Sequence, residues 1–197
     1  MSRFKAIVIG SSTGGVKALS TILQCLVKDF SLPIFIVQHV SPDSTGFLVK
    51  SLSEKTKILM KEADDKEIIQ KGTVYFAPAN YHLLIEHNKS IALSVDEKVN
   101  YSRPSIDVLF ESAANTYGNT LIGLVLTGAS SDGALGLKKI QQKRGLTIVQ
   151  EPRTAEAKTM PESALNMLKP DYVLSLEEIG PFLNQINQGS IQLRKVS

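Results

Sequence analysis

Ser12, His39 and Asp132 are three side chains that could together split an ester or an amide. A serine hydroxyl becomes a nucleophile only when a base takes its proton. Histidine is the natural base near neutral pH, and a carboxylate fixes its tautomer and stabilises the imidazolium. Each of the three follows an apolar run. Phe4–Ile9 leads into Gly10-Ser11-Ser12-Thr13-Gly14-Gly15, Leu32–Gln38 ends at His39, and Leu121–Leu126 leads through a polar turn to Asp132. Gly10–Gly14 fits G-x-S-x-G, which lifts a serine onto a sharp turn between a strand and a helix. The unpaired N–H groups that open such a helix favour a developing negative charge.

Blander roles compete for the same residues. Ser12 could cap the first helix, Asp132 could cap the helix after Gly133, and a histidine at a strand end can be structural. His82 and His87 flank a hairpin, where solvated or structural roles are expected. Their spacing does not suit a metal site, and the H-E-x-x-H pattern is missing. A glycine turn after a first strand can also hold pyrophosphate. Here the second glycine of G-x-G-x-x-G would fall at Ser12, the second strand ends in Gln38-His39 without an acidic residue, and no G-K-[ST] follows. No cofactor and no metal are expected.

The elements that must hold these residues can be read from apolar patterning. Val16, Leu19, Ile22, Leu23 and Leu26 mark a first helix, with Cys25 at the edge of its stripe and expected to be buried. A helix is expected from about Ser44 or Thr45, with Phe47, Leu48 and Leu52 as its apolar side. Ile58–Met60, Val74–Ala77, Leu146–Val149 and Tyr172–Leu174 read as further strands. Leu83–Glu86 and Ile91–Val95 read as a hairpin around His87–Ser90. Pro104 is expected in the first turn of a helix that stops at Gly118. Another helix runs from Asp132-Gly133 to about Lys143, and Pro161 opens one of about two turns. Ser175 and Glu178 form a capping box, and Pro181 is expected to end that turn and start a new helix. Strands alternating with helices predict an α/β fold. It is a doubly wound, mostly parallel sheet with helices on both faces and an antiparallel hairpin, in a single domain. The domain is expected over residues 1–190, with a loose tail over residues 191–197.

The 197 residues are 43% hydrophobic, enough for one large core. A net charge of +3 from 22 basic and 19 acidic residues, with no basic run, does not point to nucleic acid. No apolar run reaches the ~18 residues of a membrane span, so membrane insertion is not expected. A single cysteine fits a reducing compartment, and the N-terminus carries no cleavage pattern. A cytoplasmic protein is expected.

Several segments, in order, resemble the catalytic domain of the chemotaxis protein-glutamate methylesterase family (CheB). They are Ile9–Gly15, Gln38-His39, Lys61-Glu62-Ala63, Tyr75–Pro78, Arg103–Asp107, Leu126–Gly128, Asp132–Ala134 and Met160-Pro161. They cover most of Ala6–Leu183. The family's nucleophile, histidine and aspartate fall on Ser12, His39 and Asp132. The resemblance implies hydrolysis of glutamate methyl esters on the cytoplasmic helices of chemoreceptors, with receptor glutamine deamidation as a related activity. It implies no cofactor. Family members commonly carry an N-terminal receiver domain, and this chain starts at the catalytic domain. It is therefore a stand-alone enzyme or a fragment, which leaves room for a separate regulatory or receiver protein as partner. Ala129 stands where the family often has Met, and Ser130-Ser131 where Gly-Asn is usual. A non-catalytic protein-binding module on the same fold is the alternative.

Overall fold

Continuous apolar runs form the central strands, because strands covered by helices on both faces have no polar side. The computed structural model describes residues 2–39 and 46–190. Seven strands form one sheet: β1 (Ala6–Ser11), β2 (Ile34–Gln38), β3 (Leu59–Glu62), β4 (Thr73–Phe76), β7 (Leu121–Val125), β8 (Leu146–Gln150) and β9 (Tyr172–Leu174). Their order is β3-β4-β2-β1-β7-β8-β9, and every pairing is parallel. The expected hairpin, β5 (His82–Ile85) with β6 (Ile91–Ser94), forms its own two-stranded antiparallel sheet. The doubly wound fold is as expected.

Among the described residues six α-helices cover the sheet: α1 (Gly15–Cys25), α2 (Phe47–Ser53), α3 (Ile106–Tyr117), α4 (Ala134–Gln142), α5 (Thr159–Met167) and α6 (Leu176–Gln188). Strand alternation sends Ile7 and Ile9 to one face, where they join Leu19, Ile22 and Leu183 of α1 and α6. Ala6 and Val8 face the other way, toward Phe110, Leu137 and Ala164 of α3, α4 and α5. The chain leaves β1 toward β2 on one side and later returns to pair β7 on the other. The carboxyl end of β1 is therefore the switch point, where open α/β sheets place their ligands. Gly10 lets α3 close on β1 there: a Cβ would stand 2.3 Å from Ile106 Cγ2. An alanine at Gly10 would overpack this contact, at about 1–3 kcal/mol.

Several expectations need correction. Pro104 precedes α3, whose N-cap is Ser105. Pro181 lies inside one continuous α6, while the Ser175–Glu178 capping box forms as expected. Pro181 is exposed, so the Glu177 carbonyl that loses its N–H partner can turn to water. Cys25 is exposed, because it ends α1 at its solvent edge. In α2 only Leu52 is buried, and Phe47 is 78% exposed. The expected helix start at Ser44 or Thr45, and the tail at 191–197, lie outside the described residues. Among the described residues no helix is long and apolar enough to cross a membrane.

Candidate active site

Ser12 follows β1 directly and its backbone is held on three sides. Its N–H donates to Thr127 O (3.0 Å), and its carbonyl accepts from Gly15 N (2.8 Å) and from Gln38 Nε2 (2.9 Å). Gly14, at φ 77°, is the N-cap of α1, and no side chain caps this helix. Ser12 therefore does not cap, and its half-buried hydroxyl makes no hydrogen bond among the described residues. Gly128 packs against it: a Cβ on Gly128 would lie 1.9 Å from Met160 Sδ and 2.8 Å from Ser12 Cβ. Only a glycine fits between the serine and Met160.

His39 continues β2. Its N–H donates to Ser11 O (2.9 Å), one step beyond the Ser11–Gln38 register pair. It therefore stands beside Ser12, one inter-strand spacing (about 4.8 Å) away along the backbone. Gln38 ties the two strand ends together. It accepts from Ser11 Oγ (2.7 Å) and donates to the carbonyls of Ser12 and His39, both at 2.9 Å.

Asp132 meets His39 across the switch point, with His39 Nε2 2.9 Å from Asp132 Oδ2. An ionised carboxylate only accepts, so Nε2 carries the proton and Nδ1 is left as the free base. Asp132 is fully buried and accepts four more hydrogen bonds. They come from Ile106 N (2.7 Å, to Oδ2) and from Ser105 Oγ (2.9 Å), Asp107 N (3.1 Å) and Asn100 Nδ2 (3.1 Å), all to Oδ1. Burial alone would raise its pKa. The hydrogen bonds from His39, Ile106, Asn100 and Asp107 outweigh that and hold it below the usual carboxylate value.

Asp132 does not cap its own helix: Gly133, at φ 98°, is the N-cap of α4. The two helices exchange carboxylates instead. Asp132 binds the first amides of α3, while Asp107 Oδ1 of α3 accepts from Gly133 N (3.0 Å) and Gly136 N (2.7 Å) at the start of α4. Burial, together with the nearby Asp132 charge, raises the Asp107 carboxyl above its ordinary value.

The structure thus joins His39 to Asp132 and sets Ser12 beside them, without a direct Ser12–His39 hydrogen bond. Such contacts are often looser without substrate. His82 is buried and stands one residue removed from the trio, behind Ser105, which itself bonds Asp132. It bonds Glu97 O through Nε2 (3.0 Å) and accepts from Ser105 N through Nδ1 (3.2 Å), a structural role as expected. Gln38, Ser105, Asn100 and Asp107 were not anticipated as parts of the site. A small cavity of about 160 Å³ beside His39 is lined by Asn80, Lys98, Tyr101 and Arg103. The 151–160 segment lies behind the serine: Gly128 N donates to Ala157 O (3.0 Å), and Arg153 and Glu156 share a cleft with Gly14 and Thr127.

Comparison with known proteins matches residues 7–183 to the model of the CheB methylesterase family. A Leptospira interrogans protein, provisionally named a protein-glutamate methylesterase/protein-glutamine glutaminase, is 51% identical over 191 residues. The match spans 97% of this chain and 99% of that protein. The protein-glutamate methylesterase/protein-glutamine glutaminase of Archaeoglobus fulgidus is 37% identical over 90% of this chain and 53% of its own length. The crystal structure of the Thermotoga maritima CheB methylesterase catalytic domain superposes with a TM-score of 0.89 at 35% identity. That alignment covers 93% of this chain and 98% of that one. With a family match over 7–183 and relatives aligned along nearly its whole length, the chain belongs to the CheB methylesterase family.

Proposed function

We propose that the chain is a serine hydrolase that removes methyl esters from glutamate side chains on the cytoplasmic helices of chemoreceptors, and that the same site deamidates receptor glutamine. The observation that carries this reading is the buried Asp132 bonded to His39 Nε2 beside the Ser12 hydroxyl, which makes no hydrogen bond among the described residues. Family membership and the names of the relatives supply the substrate class.

Ser12 Oγ attacks the ester carbonyl carbon and passes its proton to His39 Nδ1. The tetrahedral oxyanion finds its donors among the amides at the mouth of α1, which follow Ser12, and at Ala129 N, next to Gly128. Collapse breaks the ester C–O bond. The methoxy group leaves as methanol with the proton from His39, and an acyl-Ser12 remains. A water molecule then gives a proton to His39 as it attacks the acyl carbon. The acyl C–O bond to Ser12 breaks, His39 returns the proton to Ser12 Oγ, and the acid product ionises to the glutamate carboxylate. With glutamine, the leaving group is ammonia. Alanine at 129 still offers its backbone N–H, so replacing the family's usual Met leaves this donor in place. Such receptor helices lie in the cytoplasm, so that is where the chain would act.

The test is methanol release from a methyl-labelled chemoreceptor cytoplasmic fragment. Volatile label is expected with the wild-type chain and not with Ser12→Ala. Tight binding without release, across several receptor fragments, would favour a non-catalytic binding module on this fold.

A further inference from the structure

Asn100 spends both protons of its side-chain amide on two carboxylates, that of the buried Asp132 and that of the half-buried Asp107. Nδ2 donates to Asp107 Oδ2 at 2.8 Å and to Asp132 Oδ1 at 3.1 Å. Two carboxylates that reach one nitrogen are close enough for each to oppose the other's ionisation. The remaining oxygen of Asp107 is taken by the amides of Gly133 and Gly136, and Asp132 Oδ2 by His39 and Ile106. Asn100 is therefore the side chain that bridges the pair.

We infer that Asn100 is a positioning residue for catalysis: it holds Asp132 charged and aimed at His39 Nε2 by neutralising the face that Asp132 turns to Asp107. The inference rests on the hydrolytic reading of Ser12, His39 and Asp132. Without the bridge, repulsion between the carboxylates is relieved by moving Asp132 or by placing a proton on the pair. Either change weakens the bond that keeps the proton on Nε2 and leaves Nδ1 free.

Asn100 also lies in a left-handed turn, with φ 50°, followed by Tyr101 at φ 62°. Asparagine is favoured in that conformation, so a role in the turn alone would explain the residue type. Asn100→Gly separates the two roles, because glycine keeps the turn and removes both donors.

The experiment compares wild type and Asn100→Gly in two ways. The first is steady-state methanol release. kcat should fall about tenfold or more with KM within about twofold, as for loss of a hydrogen bond to a charged group that acts through the chemistry. The second is the ring tautomer of His39 from its ¹⁵N and ¹³C shifts at neutral pH, which needs no turnover. Wild type should show the Nε2–H form, and Asn100→Gly a mixture with Nδ1–H. Adding Asp107→Asn to Asn100→Gly removes one charge and restores an amide beside Asp132. kcat should then recover by about threefold or more, a non-additivity that a loss of turn geometry would not give. Should Asn100→Gly not fold, Asn100→Ser, with one proton in place of two, is read in the same way. Wild-type kcat together with an unchanged tautomer in the folded variant would overturn the inference, as would no recovery in the double variant. A wild-type chain that releases no methanol would sink the hydrolytic reading, while the tautomer comparison would still decide the role of Asn100.

Discussion

Ser12→Ala is expected to lower kcat for ester hydrolysis by about 10⁴-fold or more while leaving the fold intact, as loss of the nucleophile does in serine hydrolases. The two halves of this expectation have separate structural causes. The Ser12 backbone is fixed by Thr127 O, Gly15 N and Gln38 Nε2, none of which touches the hydroxyl. The hydroxyl makes no hydrogen bond among the described residues and caps no helix. Its removal orphans no partner among the described residues, so stability should stay within about 0.5 kcal/mol. Chemical denaturation and single-turnover methanol release measure the two quantities. A folded Ser12→Ala chain with near-wild-type turnover would show that the serine is not the nucleophile.

Asp132→Asn should also reduce kcat by about 10⁴-fold, the scale of the corresponding change in serine proteases. Asparagine has the same shape but exchanges one acceptor for a donor. If its oxygen stays with Ser105 and Asp107, its NH₂ faces His39 and Ile106 N. It then favours the imidazole with its proton on Nδ1, which cannot act as base toward Ser12. If the amide flips, the NH₂ meets Ser105 Oγ and the Asp107 and Asn100 donors. Either orientation sets donor against donor in a buried place, at about 1–3 kcal/mol of stability. Stability should also depend on pH with a definite sign. The folded-state pKa of Asp132 is depressed. Its ionisation therefore stabilises the fold above the unfolded value near 4, and that contribution is lost as pH falls through the lower folded value. Asp132→Asn should unfold less steeply across that acid range than wild type. Lost stability with unchanged turnover per folded molecule would reduce Asp132 to a helix cap.

Much of the architecture was legible because a parallel sheet writes itself as apolar runs. Ala6–Ile9, Ile34–Val37 and Leu121–Val125 are buried at every position, and their ends located the trio. What the sequence hid was long-range polar pairing. Asn100, Asp107 and Gln38 find partners from 7 to 32 residues away, at spacings that no periodicity encodes. Asp132 and Ser12 carried capping signals that local rules assign to the helix beside them. The structure instead caps α3 with Asp132, and it opens both α1 and α4 on a left-handed glycine. Pro181 misled because helix-breaking is a local rule, whereas α6 is held in place by burying Leu176, Ile179, Leu183 and Ile186. The single exposed proline costs less than that contact returns.

The exchange of carboxylates between α3 and α4 bears on how the molecule comes apart. Catalytic loops are usually drawn from the soft end of a protein, where local opening costs little. Here the aspartate that aims the base also closes the first turn of α3, and its counterpart Asp107 closes the first turn of α4. Neither carboxylate can leave without fraying a helix that packs on the central strands. The His39–Asp132 half of the site should therefore open only in excursions close to global unfolding, and amide exchange at Ile106 and Asp107 should be among the slowest in the chain. On heating, the pair would persist until the sheet itself gives way, so that inactivation reports the melting of the core.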